Sequence, residues 1–189
     1  MLEIRIHGRG GQGNVVAAYL LASAAIDGGS YAQAFPAFGA ERRGAPVAAF
    51  VRIDDKPIRR RCQVREPDFL IVQDPALMDV PETLSGLRAR GTVLVDGAAL
   101  EIDGSGDNEI LTIPATRLAM EHIGRPVPNT ALLAAFITLT QLMPVSALID
   151  ALAERFKGPI LEKNQRLVEA AAATVEAGRW QEVAHAVSA

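Results

Sequence analysis

Residues 1–27, MLEIRIHGRGGQGNVVAAYLLASAAID, decide the fold of this protein. Residues 2–7 alternate apolar and polar side chains, a pattern that is typical of a half-buried strand. Residues 14–27 carry Ala and Leu at helical spacing, and the two glycines that follow end a helix. Between the two segments lies GRGGQG, residues 8–13. The stretch therefore predicts a strand, a glycine loop and a helix in direct succession.

The rest of the chain continues this alternation and then becomes helical. Residues 47–53 and 58–64 flank the turn residues 54–57, which predicts a β-hairpin. Residues 68–74, DFLIVQD, are typical of a strand buried on both faces of a parallel sheet. Further strands are predicted at 31–35, 92–96 and 110–114, a surface loop at 97–109, and helices at 76–90, 115–122, 129–142, 145–156 and 160–177.

We therefore expect a single domain over residues 1–189. Its fold class is α/β, with one open, mostly parallel Rossmann-like sheet, an inserted β-hairpin and a helical C-terminal third.

Composition narrows the possible partners. The formal net charge of −3 and the low aromatic content of 5% do not favour nucleic acid. No apolar run approaches the roughly 18 residues that a membrane span needs, so we expect no membrane association and a cytoplasmic location. Cys62 is the only cysteine, so the chain by itself cannot hold an iron–sulfur cluster or a multi-cysteine zinc site. We expect Cys62 to be a packed side chain rather than a nucleophile.

The glycine loop favours an anion without defining one. Gly8, Gly10 and Gly13 have the G-x-G-x-x-G spacing of dinucleotide folds, which is a weak signal alone. A dinucleotide site also needs an acidic residue at the end of the second strand, but residues 30–38, SYAQAFPAF, contain none. No Lys-Ser or Lys-Thr follows the glycines, which excludes a Walker loop. Phosphate binding and a purely structural tight turn both remain open, and Arg9 favours an anion.

A second motif makes the pattern specific. GRGGQG followed by QAFPAFGAERRGAPVAAFVRIDDKPI, residues 33–58, resembles the gamma subunit of the 2-oxoacid:acceptor oxidoreductases. The similarity continues through EPDFLIVQDPAL, residues 66–77, GTVLVDGAAL, residues 91–100, PVPNTALLAAF, residues 126–136, and EKNQRLVEAA, residues 162–171. Pyruvate-type and phenylglyoxylate-type enzymes are the nearest relatives by this resemblance, with a weak preference for the second.

The resemblance implies one subunit of a larger enzyme that converts a 2-oxoacid and coenzyme A to acyl-CoA and carbon dioxide. Thiamine diphosphate, Mg²⁺ and iron–sulfur clusters would lie in alpha, beta and delta-type partners, which would also pass electrons to ferredoxin or NAD. This chain would carry no catalytic residue and no metal. The residues expected to approach coenzyme A are Gly8, Arg9, Gly10, Gly11, Gln12, Gly13 and Asn14.

Other polar residues are weaker candidates. Glu41, Arg42 and Arg43 form a charged cluster that we expect to bind a ligand or a neighbouring subunit. Asn129 suits a helix N-cap, and the resemblance also makes it a possible ligand or interface residue.

Residues that end strands are expected to be structural. Asp74 and Asp96 each follow an apolar strand, where a capping role is expected, and His7 is expected to be a hydrogen-bonded structural residue. Two alternative functions remain: a stand-alone nucleotide-binding reductase, and a purely structural assembly subunit.

Overall fold

The computed structural model describes residues 1–37, 45–103 and 106–186. Within them are seven strands: β1 Leu2–Arg9, β2 Tyr31–Pro36, β3 Pro46–Asp54, β4 Phe69–Val72, β5 Thr92–Asp96, β6 Glu101–Asp103 and β7 Glu109–Ile113. The α-helices are α1 Asn14–Asp27, α2 Pro81–Leu84, α3 Ala115–Ile123, α4 Asn129–Thr140, α5 Val145–Arg155, α6 Gly158–Ala172 and α7 Gln181–Ala186. A 3-10 helix, Pro75–Asp79, precedes α2.

The strands form one mixed sheet in the order β2-β3-β1-β4-β5-β7-β6. Its centre is parallel, because β1 pairs with β4, β4 with β5, and β5 with β7 in parallel register. Both edges are antiparallel: β3 pairs with β1 and with β2, and β6 pairs with β7. The described strands other than β3 and β6 therefore run in one direction, and their carboxyl ends meet at one edge of the sheet.

The two faces of the sheet are covered unequally. One face carries the large core, in which Ile4 and Ile6 of β1 pack with apolar residues of α1, α4 and α5. The other face carries a small cluster built on Leu70 and Val72 of β4, covered by the 3-10 helix and α2. Helix α4 is buried along its whole length, in agreement with a sequence that carries no charged residue and is apolar apart from Asn129 and three threonines. The helical C-terminal third therefore serves mainly to bury one face of the sheet.

The predicted β1, α1 and β5 agree with the structure, but the predicted hairpin is wrong. Residues 58–64 form no strand; β3 instead pairs with β1 on one side and β2 on the other. Both sides of β3 are therefore already occupied, and Arg52 contacts this segment instead: its buried guanidinium donates to the carbonyl oxygen of Arg60 at 3.4 Å and contacts the Cys62 sulfur at 3.8 Å. These contacts hold the segment beside β3 through a side chain rather than through a backbone ladder. Cys62 itself is exposed, so its predicted packing is also wrong.

Smaller differences concern short elements. In place of the predicted helix at 76–90 the structure has two short helices, the 3-10 helix and α2. Each of them begins with a proline, a residue that suits the first position of a helix. The predicted loop at 97–109 contains the edge strand β6, and the C-terminal segment adds α7.

The chain before α7 is fixed to β7, because Trp180 Nε1 and Arg179 Nε donate to Glu109 at 2.7 and 2.8 Å. Burial acts to raise the pKa of Glu109, but these hydrogen bonds outweigh it and lower the pKa.

Candidate functional site

The glycine loop lies at the carboxyl edge of the parallel strands, where open α/β sheets bind their ligands. Strand β1 ends at Arg9 and α1 begins at Asn14, so the connection is short and closely tied to the sheet. The Gly10 N–H donates to the Ala45 carbonyl at 3.0 Å, and the Arg9 N–H donates to Gln12 Oε1 at 2.6 Å. The Gln12 side chain therefore stabilises the turn from within.

Gly13 determines how α1 begins. It occupies the N-cap position in the left-handed region, with φ of 81°, where a side chain is disfavoured. Because glycine has no side-chain oxygen, the helix has no side-chain cap, and its first turn contains no acidic residue. The first turn therefore keeps the full positive end of the helix dipole.

Backbone donors converge at this helix end. Ala17 is the first residue of α1 with a helical acceptor, the Gly13 carbonyl at 2.9 Å. In the part of the chain that the structure describes, the N–H groups of Gly13, Asn14, Val15 and Val16 have no acceptor. Such a set of donors at a helix N-terminus is suited to an anion, above all a phosphate.

Buried polar side chains surround the same strand ends. Gly8 leaves room for Asn14, whose Oδ1 lies 2.2 Å from the point where a Cβ on Gly8 would stand. Asn14 Nδ2 donates to the Val47 carbonyl at 3.2 Å, but its Oδ1 has no partner among the described residues. Gln73, which directly follows β4 and is 2% exposed, has no partner for either end of its amide within the same residues. Unsatisfied buried polar groups are rare and are often found where a ligand or water binds.

His7 contributes a neutral imidazole to this edge. Its Nε2 is buried and has no hydrogen-bond partner among the described residues. The hydrogen bond that we expected for this side chain is therefore not formed by Nε2. Burial, with a smaller contribution from the charge of Arg5, lowers the pKa of His7 to about 4. Arg5 is itself held beneath the small helix α2, where it donates to the Thr83 and Ser85 carbonyls at 2.8 and 2.7 Å. His7 therefore carries no charge at neutral pH.

The strand-ending aspartates cap local structure, as predicted. Asp74 is the N-cap of the 3-10 helix and accepts from the Ala76 N–H at 3.0 Å. It also accepts from Arg9 Nε, so the arginine of the loop is anchored to the end of β4. Asp96 accepts from the N–H of Thr116 at 2.9 Å and from its hydroxyl, at the start of α3.

Asn129 approaches the loop from the opposite side. Its Nδ2 lies 2.9 Å from the point where a Cβ on Gly13 would stand. The predicted N-cap role is wrong by one residue: Pro128 is the N-cap of α4, and Asn129 Oδ1 accepts from the Thr130 N–H at 2.7 Å. The structure thus brings Asn129 beside the predicted loop residues, whereas Glu41, Arg42 and Arg43 lie outside the described residues.

Two cavities lie beside the first turn of α1 and share Val16 in their linings. The first, of about 240 Å³, lies over the glycine loop between Arg9, the start of α1 and Val47. The second, of about 300 Å³, lies between α1, the start of α4 and α6, and its lining includes Val16, Asn129, Arg125 and Lys163. The sequence analysis missed Arg125 and Lys163, because no pattern links two basic residues on separate elements.

Residues 1–37, 45–103 and 106–186 contain no cluster of three or more His, Cys, Asp or Glu side chains that could hold a metal ion. None of the helices found in them is long and apolar enough to cross a membrane.

The fold and the loop define an α/β domain with a glycine turn whose open backbone donors suit an anion, and comparison with known proteins gives its family. Residues 3–174 match the family model described as pyruvate ferredoxin/flavodoxin oxidoreductase. Pyruvate synthase subunit PorC of Methanothermobacter thermautotrophicus is 49% identical over 93% of this chain and 97% of its own length. The common gamma subunit of the pyruvate/ketoisovalerate oxidoreductases of Thermococcus kodakarensis is 47% identical over 90% of this chain and 95% of its own.

Solved structures agree with this comparison. The crystal structure of pyruvate oxidoreductase subunit PORC from Thermotoga maritima matches with a TM-score of 0.80 and 33% identity over 93% of this chain and 97% of that one. A 2-oxoglutarate:ferredoxin oxidoreductase from Magnetococcus marinus, solved with coenzyme A and succinyl-CoA bound, shares the fold with a TM-score of 0.74. At 21% identity, and with 31% of that longer chain covered, this second likeness concerns the fold alone.

The chain belongs to the pyruvate ferredoxin/flavodoxin oxidoreductase family, as a member of the gamma-subunit type. This confirms the predicted resemblance and the predicted α/β class. The relatives are named for pyruvate and ketoisovalerate, so the preference for phenylglyoxylate has no support from their names.

Proposed function

We propose that this gamma subunit binds the phosphates of coenzyme A on its glycine loop within a 2-oxoacid oxidoreductase complex. The complex converts a 2-oxoacid, coenzyme A and an oxidised acceptor to acyl-CoA, carbon dioxide and the reduced acceptor. Partner subunits of alpha, beta and delta type hold thiamine diphosphate, Mg²⁺ and the clusters that reduce ferredoxin or NAD. The contribution of this chain is binding and assembly.

One observation carries the proposal: Gly13, Asn14, Val15 and Val16, whose N–H groups have no acceptor among the described residues, all line one cavity, and none of the described residues that line it is acidic. A diphosphate accepts several hydrogen bonds at once, and each bond from a backbone N–H to a charged oxygen is worth about 1.5–3 kcal/mol. The helix dipole adds typically about 0.3–1 kcal/mol for an anion in this position. These donors are preorganised, because the loop is fixed by its own hydrogen bonds.

The sheet topology argues against the alternative of a stand-alone nicotinamide-dependent reductase. In that class of fold an acidic residue at the end of the strand beside β1 binds the ribose hydroxyls. Here the neighbours of β1 are β3, which begins with Pro46 opposite Arg9, and β4, which is followed by Asp74. Asp74 already accepts from Arg9 and from the Ala76 backbone, so within the described residues neither neighbour offers a free carboxylate.

The test is the apparent KM for coenzyme A of the assembled complex carrying Asn14→Asp. The substitution keeps the size of the side chain and adds a negative charge among the donors, where repulsion of a phosphate at about 4 Å amounts to about 4 kcal/mol at an effective dielectric constant near 20. We expect the KM for coenzyme A to rise at least about tenfold, with the KM for the 2-oxoacid unchanged. Gln181→Glu, which adds the same charge on exposed α7, is the matched control.

An unchanged KM for coenzyme A in an intact Asn14→Asp complex would overturn the binding role and favour pure architecture. The assembly role has a separate test. Purification of the tagged chain from native extract should return the thiamine diphosphate and iron–sulfur subunits, and their absence would contradict that role.

A further inference from the structure

The amino end of the sheet carries a concentration of accessible arginine side chains. Residues 56–66, KPIRRRCQVRE, hold five basic side chains and one acidic one, whereas the whole chain has a net charge of −3. The turn at residues 88–91 lies beside this segment, because the Arg88 N–H donates to the Pro67 carbonyl at 3.1 Å. We define the arginine surface as the exposed or half-exposed side chains of Arg59, Arg60, Arg61, Arg65, Arg88 and Arg90.

The backbone that carries this surface is held in place by packing and hydrogen bonds. Val64 is 3% exposed and anchors the middle of the segment in the interior. Buried Arg52 donates to the Arg60 carbonyl at 3.4 Å. Gly86 allows a close approach of the chain, since a Cβ at that position would stand 2.1 Å from the Arg65 carbonyl oxygen. The arginines are therefore presented by a fixed segment, which lowers the entropy that a partner would have to remove on binding.

The acidic residues at this end do not neutralise the surface. Glu3 is already paired with buried Arg52 at 2.8 Å. The same carboxylate lies 3.9 Å from Arg60 and 3.5 Å from Arg88, so one negative charge is shared by three guanidinium groups. Within the described part of the chain no ion pair is formed by Arg59, Arg61, Arg65 or Arg90. The surface therefore keeps an excess of positive charge.

The chemistry of this surface favours an acidic protein over other anions. Residues 56–66 contain no aromatic side chain on which a nucleic acid base could stack. The cavity of about 310 Å³ beside Arg88 and Arg90 is also lined by Asp68, which pairs with Arg88 at 2.8 Å, so it does not suit a small anion. Arginine is enriched at protein interfaces, where its planar fork binds carboxylates through two hydrogen bonds.

We propose that the arginine surface docks on an acidic surface of a neighbouring subunit in the oxidoreductase complex. This inference rests on the assembly role in the proposed function and names the chemistry of the contact. The surface adjoins the start of β1, whereas the glycine loop follows its end, and about 20 Å of strand separates Glu3 from Arg9. A subunit that binds here therefore leaves the glycine loop uncovered.

The first experiment measures the Kd of the full chain for its separately purified partner subunits at two salt concentrations. For the wild-type chain we expect the Kd to rise at least about tenfold between about 0.1 M and about 0.5 M salt, because salt screens complementary charges. Arg59→Glu/Arg61→Glu should raise the Kd at the lower salt concentration at least about tenfold. In this variant the same increase in salt should change the Kd less than about threefold.

The matched control makes the same charge change elsewhere. Arg117→Glu/Arg166→Glu alters exposed positions on α3 and α6 and should keep the Kd within about twofold of wild type. Arg59→Gln/Arg61→Gln, which removes the charges without reversing them, should give an intermediate Kd. Urea unfolding of each variant should match the wild type, which separates a lost contact from a folding defect.

Cys62 gives an independent readout of the same surface. It is the only cysteine of the chain, it is exposed, and it directly follows Arg61. We expect alkylation of its thiol, followed by peptide mapping, to be at least about tenfold slower in the assembled complex than in the free chain, because reaction requires access to the sulfur. In the control Cys62→Ser/Arg117→Cys, the new thiol should react at the same rate in both states.

Two results would overturn the inference: a Kd that Arg59→Glu/Arg61→Glu leaves unchanged, and a Cys62 thiol that reacts equally fast in the complex and in the free chain. If the tagged chain still recovers its partner subunits in that case, the assembly role stands and only the assignment of this surface fails. Binding of the polyanion heparin instead of the subunits, with the same dependence on Arg59 and Arg61, would overturn the inference in favour of nucleic acid.

Discussion

The two ends of the parallel strands are both rich in polar residues. Charged side chains at the amino end pair with one another, whereas two neutral side chains at the carboxyl end keep buried atoms without partners in the described part of the chain. At the amino end, Glu3 pairs with buried Arg52 at 2.8 Å and with Arg88 at 3.5 Å, and Arg88 also pairs with Asp68 at 2.8 Å. At the carboxyl end, the side chains of Asn14 and Gln73 keep buried polar atoms without partners among the described residues.

This difference indicates that the polar residues at the amino end of the sheet stabilise the fold, whereas those at the carboxyl end are available to a ligand. A buried charge must be paired, because an isolated one costs several kcal/mol, and the amino end meets this requirement by itself. Asp68 illustrates the cost: burial raises its pKa above the ordinary value, although its contacts with the Glu3 N–H and Arg88 act in the other direction. The carboxyl end has an ion pair of its own, Arg9 with Asp74, but the buried atoms that it leaves unpaired belong to the neutral side chains of Asn14 and Gln73. Neutral groups can remain unpaired at lower cost until a ligand arrives.

The largest expected effect is at the amino end. Glu3→Gln leaves the guanidinium of Arg52, which is 0% exposed, without its carboxylate. Breaking a buried pair in this way costs about 3–5 kcal/mol in the free energy of unfolding, measured for the full chain by urea denaturation. Arg117→Gln is the control, because its pair with Glu121 is solvent-exposed and worth at most about 0.5 kcal/mol. A loss below about 1 kcal/mol for Glu3→Gln would erase the contrast between the two ends.

The next effect concerns His7 and acid. Its pKa of about 4 in the folded chain lies below the ordinary 6.5, so the unfolded chain binds a proton more readily as the pH falls. Between pH 7 and pH 5 this should remove about 2 kcal/mol from the free energy of unfolding, because only the unfolded state gains the proton in that window. His7→Asn should lose this part of the pH dependence. Equal slopes for the two proteins over pH 5–7 would contradict a neutral buried His7.

A smaller effect is expected in the glycine loop. Gly13→Ala places a Cβ at φ of 81° and 2.9 Å from Asn129 Nδ2, which is the end of a side chain that can shift. The left-handed conformation then costs about 1–2 kcal/mol. Gly106→Ala, at a position with an open surrounding and no positive φ, should stay within about 0.5 kcal/mol of wild type. Thermal and urea unfolding of the two variants measure this difference, and equal stabilities would show that the loop is not held in its left-handed turn.

The smallest effect tests whether the carboxyl end depends on the ion pair between Arg9 and Asp74. Asp74→Asn keeps an oxygen for the Ala76 N–H but removes the charge opposite Arg9, whose side chain is 37% exposed. We expect a change of at most about 0.5 kcal/mol, since partly exposed pairs contribute little. Asp74→Ala, which also removes the cap, should cost about 1 kcal/mol. If Asp74→Asn lowered the free energy of unfolding by several kcal/mol, the carboxyl end would depend on an ion pair for its stability, as the amino end does.

Local patterns predicted much of the fold. The strand, loop and helix at the start of the chain follow from the change of hydrophobic period at GRGGQG, and β4 and β5 follow from short apolar runs. The strands that pair with β3 could not be predicted from local patterns. Residues 58–64 have the composition of a strand, and they are excluded from the sheet only because β1 and β2 already occupy both sides of β3. Strand pairing depends on distant segments, which a local pattern does not describe.

Some residues of the candidate site could likewise be predicted from the sequence and others could not. The glycine loop and Asn129 were found, the first from its spacing and the second from the family resemblance. Gln73 carries no signal in the sequence, since a polar residue after a strand is ordinary. Arg125 and Lys163 become neighbours only when the segment after α3 packs against α6.

The sequence by itself determined the family, the α/β class and the position of the glycine loop, because each depends on residues that are close together in the chain. The tertiary structure alone decided which polar groups are paired and which are left open. Burial and partners arise from packing between distant elements, so the amino end of the sheet became an ionic network, while the carboxyl end kept backbone donors that have no acceptor among the described residues.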